Sequence, residues 1–204
     1  MNFLNEKNNF LDSGFAILRN FISKSEIDTI IRGAVKEIGC EQKGFHWENL
    51  EITNLIHEQS KDIAVGVDAA EGKEEGAGDQ GIMFGYACKE TEALMPAAIY
   101  YAHRILQNIM GAVKSGELPN LGSDAKGQVT LSYKNGVPVK AETVLVSIQH
   151  KEGVTQQQIK DLIRPYVEKT LPEGWMCSDE NFLVNPTGHF VIGGPDGDAG
   201  LTGR

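Results

Sequence analysis

Residues 129–148 read VTLSYKNGVPVKAETVLVSI, and this stretch decides the fold. Apolar side chains recur at every second position in its first five and in its last five residues, as in two strands that turn one face to a core. Between them lies Asn135-Gly136, a pair that adopts the positive φ angles of a tight hairpin turn. The alternating residues are Val129, Leu131, Tyr133, Val144, Val146 and Ile148. The stretch therefore predicts an antiparallel hairpin.

Amphipathic helices are predicted on both sides of this hairpin. Residues 95–114 carry apolar side chains at helical spacing on one face. After the hairpin, Thr155 and Gln158 form a capping-box pattern that opens a second helix over residues 155–169. Pro165 lies within that helix and is expected to distort it, because proline lacks the backbone N–H.

The remaining elements follow from weaker patterns. They are a helix over residues 27–38 opened by Ser23 and Glu26, strands at 50–56 and 83–88, and a turn at 185–188 between the apolar pairs 182–183 and 191–192. From Met83 the predicted order is β-α-β-β-α-β-β. This order indicates an α+β fold, in which the helices cover one face of a mainly antiparallel sheet.

Composition narrows the class of protein. The chain has 204 residues and a formal net charge of −9, with 41% hydrophobic and 23% charged residues. These values are typical of a globular domain, and the acidic balance argues against binding to nucleic acid or to an anionic membrane surface. No apolar run approaches the roughly 20 residues that span a bilayer. Three widely spaced cysteines favour reduced thiols, and we predict a cytoplasmic protein.

Two motifs are ambiguous on residue types alone. Residues 76–81 match the dinucleotide pattern GxGxxG, but an acidic, glycine-rich loop precedes them and a strand-like segment follows, so we reject a Rossmann site. We predict that residues 68–81 form a mobile loop. His46-Trp47-Glu48 has the start of a non-haem iron triad, although such a pair is more often structural.

Two further segments could bind an anion. Ser123-Asp124-Ala125-Lys126 places a carboxylate and a cation before a strand, where they could bind a polyphosphate or form a solvated turn. Residue types alone favour the turn. Residues 193–204 contain five glycines, whose backbone amides can approach an anion closely, unless the segment is a flexible tail.

Several long motifs, in order, resemble the methionine adenosyltransferase (S-adenosylmethionine synthetase) family. They are 35–39 (VKEIG), 59–68 (QSKDIAVGVD), 76–107 (GAGDQGIMFGYACKETEALMPAAIYYAHRILQ), 124–133 (DAKGQVTLSY), 147–150 (SIQH), 182–195 (FLVNPTGHFVIGGP) and 197–204 (GDAGLTGR). In that family the methionine sulfur displaces tripolyphosphate from C5′ of ATP, and the tripolyphosphate is then cleaved. The resemblance implies a transferase that uses ATP and L-methionine, with Mg²⁺ and K⁺ as cofactors and assembly as a homodimer or homotetramer.

The resemblance also implies roles for individual residues. The implied ATP-binding residues are Asp124, Ala125, Lys126, His189, Phe190, Asp198 and Arg204. Gln59 and Asp198 would contact methionine, and Asp79 and Lys126 would be catalytic. No residue is assigned as a metal ligand.

Departures from the family pattern divide the chain. Residues 1–26 look foreign to the family, whereas 27–75 resemble part of its N-terminal repeat, 76–192 a complete central repeat, and 193–204 the start of the C-terminal repeat. The family's His-Pro-Asp-Lys motif does not occur, and His189 replaces the arginine of its NPTGRF motif. We therefore expect an incomplete synthetase that forms little or no S-adenosylmethionine as the 204-residue chain alone. The alternative is a non-catalytic module that dimerises with full-length subunits.

Overall fold

The computed structural model describes residues 24–55, 72 and 82–198. The elements in this part of the chain are α1 (Lys24–Ile38), α2 (Ala97–Lys114), β1 (Leu121–Lys134), β2 (Val137–His150), α3 (Gln156–Thr170) and β3 (Phe182–Val184). Short 3₁₀ turns lie at Asp179–Asn181 and Gly194–Asp196. The three strands form one sheet in the order β1-β2-β3.

The predicted hairpin is confirmed. β1 and β2 pair antiparallel, with Val129 opposite Val144. Asn135 and Gly136 connect the strands with φ angles of 53° and 76°, as the two-residue turn requires. Both strands are longer than the alternating pattern alone indicates.

The two flanking helices share one face of the sheet, which confirms the predicted α+β arrangement. Ile105 of α2 and Ile163 of α3 belong to the same buried cluster as Val144, Val146 and Ile148 of β2. The opposite face of the hairpin is therefore left open by these helices. At the N-terminus of α3, Thr155 and Gln158 form the predicted capping box, and the helix continues through Pro165 to its end.

Close packing between α2 and the sheet depends on Gly127. A Cβ atom at this position would lie 3.1 Å from Leu106 Cγ and 3.4 Å from the carbonyl oxygen of Ala102. The glycine therefore allows the helix backbone to approach the middle of β1.

The edge of β2 that faces away from β1 pairs with β3 in parallel, whereas the sequence predicts a mainly antiparallel sheet. β3 runs parallel to β2, with Val184 beside Val146. Directly after β3, the Asn185 side chain continues the pairing with β2. Its Oδ1 accepts a hydrogen bond from Ile148 N at 2.7 Å, and its Nδ2 donates to Ile148 O at 3.0 Å. Asn185 is buried, and the predicted turn follows it, with Gly188 N donating to Asn185 O. An asparagine side chain thus extends the sheet edge beyond the last strand residue.

Three predicted strands are wrong. Residues 50–55, 83–88 and 191–192 have no regular secondary structure, although residue 56 lies outside the described part. The apolar side chains of the middle segment are strongly exposed, with Phe84 at 89%. An apolar, β-prone stretch becomes a strand only beside a partner strand, and these segments meet none among the described residues.

The first helix matches its prediction only in position. α1 spans Lys24–Ile38, but Ile30 and Ile38 are more than half exposed. Arg32 joins it to the next segment by donating to the carbonyl oxygens of Trp47 and Leu50, each at 2.8 Å. The predicted cap at Ser23 and most of the loop at 68–81 lie outside the described residues. No described helix has the length and apolar character needed to cross a bilayer.

A charged cluster ties α3 to the 3₁₀ turn before β3, and it yields a prediction about pH. Asp179 accepts hydrogen bonds from Lys160 and Arg164 of α3, and the two cations lie over the Phe182 ring. The hydrogen bond from Lys160 lowers the pKa of Asp179, and the charges of both cations act in the same direction.

A lowered pKa stabilises the fold above the unfolded-state pKa and stops doing so as the pH falls through the folded-state pKa. We expect Asp179→Asn to lower the melting temperature slightly at neutral pH, by an amount that disappears in acid.

Asp161→Asn is the matched control for this measurement, because Asp161 lies on α3 between Lys160 and Arg164 and, within the described residues, accepts a hydrogen bond from the Gln157 amide alone. Its effect on the melting temperature should be smaller, because the substitution removes no hydrogen bond from a cation. An Asp179→Asn difference that persists unchanged below the folded-state pKa would show that the cluster acts through packing and not through charge.

Candidate functional site

Asp124 and Asp198 converge on one glycine. Asp124 lies near the start of β1, where its Oδ2 accepts from Gly194 N at 2.8 Å. The carbonyl oxygen of the same glycine accepts from Asp198 N at 3.1 Å. Gly194 has a φ angle of +62°, a conformation that glycine adopts without strain. Two predicted site residues that are distant in sequence are thereby brought to one loop.

Ala125 and Lys126 point to opposite faces of the sheet. The Ala125 side chain packs against the buried cluster, so only its backbone can face a ligand. Because successive strand residues alternate in direction, Lys126 lies on the open face, whereas Asp124 lies in an irregular part of β1 between the pairs Leu121–His150 and Ala125–Ile148. Lys126 is exposed and forms no hydrogen bond or ion pair within the described residues, so its ammonium group is available to a ligand.

His189 and Phe190 lie at the end of β2. Phe190 O accepts from His150 N at 2.9 Å, and Phe190 N donates to His150 Nε2 at 3.1 Å. The exposed His189 ring meets the His150 ring edge-on, with the ring centroids 5.9 Å apart. Because β1 and β2 are antiparallel, the end of β2 lies beside the start of β1, and the His189 and Asp124 regions occupy the same end of the sheet.

Sequence reasoning missed the polar side chains that join these parts. Gln149 Nε2 donates to Gln42 Oε1 at 2.9 Å and to Val191 O at 3.0 Å, while Gln42 Nε2 donates to Gly193 O at 2.6 Å. A Cβ atom at Gly193 would lie 2.9 Å from Gln149 Cδ and 3.0 Å from Asp124 Cβ. Gln149 and His150 belong to the quoted SIQH motif, which was a usable signal, whereas nothing in the sequence singled out Gln42.

A cavity of about 850 Å³ adjoins this cluster. It is formed by the segment after α1, the first residues of β1, the end of β2 and the 3₁₀ turn before Asp198, and its lining includes Gln42, Ser123, Gln149 and Asp196. This volume is within the range of small-molecule sites. Asp124 and Phe190 lie next to lining residues, so the cavity adjoins the predicted site residues without being centred on them.

Three predicted site residues, Gln59, Asp79 and Arg204, lie outside the described part of the chain. The described residues contain no group of three or more His, Cys, Asp or Glu side chains that could hold a metal ion. His46, the first residue of the iron-like pair, instead accepts a hydrogen bond at Nδ1 from Glu48 N at 3.2 Å. The described side chains therefore do not fit a resident metal.

Comparison with known proteins identifies the family of this chain. The family model described as S-adenosylmethionine synthetase, central domain, matches residues 74–190. The S-adenosylmethionine synthases of Paramagnetospirillum magneticum and Rhodospirillum centenum are each 60% identical to this chain, over 90% and 88% of its length. An unusual S-adenosylmethionine synthetase from Campylobacter jejuni superposes with a TM-score of 0.67 at 28% identity, and the match covers 85% of this chain and 45% of that one.

The extent of these matches is uneven. This chain spans about half the length of the curated relatives it matches, with 47% of the Paramagnetospirillum synthase covered. The family match nevertheless includes the hairpin, both flanking helices, β3 and the residues from Asp124 to Phe190. The chain belongs to the S-adenosylmethionine synthetase family.

Proposed function

We propose that this chain provides the nucleotide-binding part of a methionine adenosyltransferase, which forms S-adenosylmethionine from ATP and L-methionine. The observation that carries the proposal is the convergence of Asp124 and Asp198 on Gly194, close to Lys126, which has no hydrogen-bond or ion-pair partner in the described part of the chain. These are residues that the family resemblance assigns to ATP and methionine. Their meeting at one end of the sheet supports a shared site.

In the proposed reaction the bonds form and break between the substrates, and the protein forms no covalent bond to them. A lone pair of the methionine sulfur forms the S–C5′ bond, the C5′–O bond of ATP breaks, and its electron pair leaves with the triphosphate. Hydrolysis of the triphosphate by water then gives phosphate and diphosphate. The protein accelerates such a step by aligning the reacting atoms and by stabilising the charge on the leaving group.

The described side chains suit those two tasks. The Lys126 ammonium extends from the open face of the sheet and would neutralise developing negative charge. Asp124 is held in place by the Gly194 amide, so its second carboxylate oxygen is free to accept from a hydroxyl or amino group of the nucleotide. His189 and Phe190 would form the neighbouring wall. Gln59, Asp79 and Arg204 remain proposed contacts on the strength of the resemblance.

Magnesium and potassium belong to the proposal as assay components. Mg²⁺ commonly binds through substrate phosphates and only one or two carboxylates, so it can enter with ATP in the absence of a protein cage. We assign neither ion to a described residue. A cytoplasmic location is likewise part of the proposal.

A second function, assembly without catalysis, is favoured by one observation. Ile82, Met83, Phe84 and Tyr86 are 79–95% exposed, and contiguous exposed apolar surface of this kind marks interaction sites. We propose that these side chains are covered in a homodimer or homotetramer. Such assembly is compatible with catalysis, and it would also be the whole role of a non-catalytic module.

A chimera separates the two functions. Residues 82–198 would replace the matching segment of the Paramagnetospirillum magneticum synthase, and product would be measured by mass spectrometry with ATP, methionine, Mg²⁺ and K⁺. We expect turnover within about tenfold of the parent enzyme, a difference of about 1.4 kcal/mol in activation free energy. A chimera that assembles like its parent and yet neither binds ATP nor forms product would favour the non-catalytic module.

A further inference from the structure

His150 occupies a position that the proposed reaction does not use. Its imidazole is buried, with the residue only 3% exposed, at the last position of β2. Nδ1 lies 2.9 Å from Lys151 O, and Nε2 lies 3.1 Å from Phe190 N. Both ring nitrogens are therefore engaged with the backbone of two different segments.

These two contacts determine the tautomer. A carbonyl oxygen can only accept a hydrogen bond, so Nδ1 must carry the proton that it donates to Lys151 O. A backbone N–H can only donate, so Nε2 must be unprotonated to accept from Phe190. His150 is thus neutral with its proton on Nδ1, and its ring forms a hydrogen-bonded bridge between residue 151 and residue 190.

The contact with Phe190 is double. The backbone N–H of His150 donates to Phe190 O at 2.9 Å, while the His150 ring accepts from Phe190 N. Residue 190 lies in no regular element. These two hydrogen bonds therefore attach it to the edge of β2, just as strand pairing attaches Val184 to Val146 on the same edge. The adjacent His189 ring rests edge-on against the same imidazole.

We propose that His150 is a positioning residue for nucleotide binding: it holds Phe190, and with it His189, in the orientation that faces the ligand. The proposal rests on the proposed function for its nucleotide part, but the geometric part stands on the hydrogen bonds alone. His150 does not touch the substrate. Its effect passes through the backbone of residue 190.

Two substitutions separate the ring nitrogens. In His150→Gln the carboxamide reaches the place of Nε2 and can still accept from Phe190 N. In His150→Asn the carboxamide reaches only the place of Nδ1, so the bond to Lys151 O survives and the bond from Phe190 is lost. His103→Asn is the matched control, because His103 is exposed on α2.

The experiment compares these variants in the full 204-residue chain. Loss of one hydrogen bond that orders a binding segment should raise the Kd for ATP about tenfold in His150→Asn. The Kd should stay within about threefold of wild type in His150→Gln and His103→Asn. Amide hydrogen exchange at Phe190, followed by NMR, should accelerate about tenfold in His150→Asn only. A purely space-filling role predicts no rescue by glutamine.

Several results would overturn the inference. One is exchange at Phe190 that is unchanged in His150→Asn or faster in folded His150→Gln. A second contradicting result would come from the wild-type chain. ¹⁵N NMR of its His150 imidazole should find the proton on Nδ1, and a proton on Nε2 would be incompatible with the hydrogen bond from Phe190 N. If wild type fails to bind ATP while the exchange pattern holds, the proposed function fails and the positioning of residue 190 stands.

Discussion

Replacing Lys126 with alanine is expected to lower kcat/KM for S-adenosylmethionine formation by about 100-fold or more in the chimeric synthase. The reason is electrostatic. Lys126 is exposed on the open face of the sheet and has no ion-pair partner among the described residues, so its charge is available to the leaving triphosphate. Groups that act on charge developing in the transition state change the rate far more than they change the stability of the fold. Product formation is measured at saturating and at limiting ATP.

Lys140→Ala removes the same charge from the far end of the hairpin, where Lys140 is exposed on β2, and should leave kcat/KM within about threefold of the chimera. Lys126→Arg should recover only part of the lost activity, because a planar guanidinium does not place its charge where an ammonium does. An alanine variant at Lys126 that retains nearly full activity would remove this residue from the proposed catalytic group.

The parts of the fold that could be predicted are those encoded over short distances. The hairpin follows from Asn135-Gly136 and the alternation on either side of it, and pairing begins directly beside the turn, with Lys134 opposite Val137. The start of α3 follows from Thr155 and Gln158, which are three positions apart and bond to each other. Local patterns of this kind specify their own partners.

The elements that the sequence predicted wrongly have a common physical cause, which is the absence of a pairing partner nearby in the sequence. Residues 83–88 have strand-like composition, but the described chain supplies no strand beside them. The direction of β3 is not encoded in three residues, because an apolar triplet pairs equally well in parallel or antiparallel orientation. Its parallel pairing with Val144–Val146 depends on the path of the whole α3 connection, which no single motif reveals.

The candidate site shows the same limit. Residue types around Asp124 and Lys126 favoured a solvated turn, and only the family resemblance suggested ATP. The structure adds the contact of Asp124 with Gly194, 70 positions away, and that of Gln42 with Gly193, 151 positions away. Contacts across such separations carry no periodic signal in one sequence. The SIQH motif came nearest, since it contained Gln149 and His150, although their roles emerged only from the hydrogen bonds.

Asn185→Ala is expected to lower the free energy of unfolding by about 2 to 6 kcal/mol. The Asn185 side chain satisfies both the N–H and the C=O of Ile148, a residue that is fully buried. Alanine leaves this donor and this acceptor without partners in the core, and each buried unsatisfied group costs about 1–3 kcal/mol. The φ angle of +42° at Asn185 adds a smaller penalty, because alanine tolerates left-handed backbone less well than asparagine. Urea denaturation of the 204-residue chain measures the difference.

Asn135→Ala isolates the backbone contribution. Asn135 has a similar φ angle of +53° but lies exposed in the hairpin turn, so its substitution imposes the strain without removing a buried hydrogen bond. We expect it to lower the free energy of unfolding by only about 1 kcal/mol. Equal losses for the two variants would mean that backbone strain, and not the pairing of Ile148, accounts for the effect at Asn185. A larger loss for Asn185→Ala would show that this side chain holds the sheet edge from which the chain passes to His189 and Phe190.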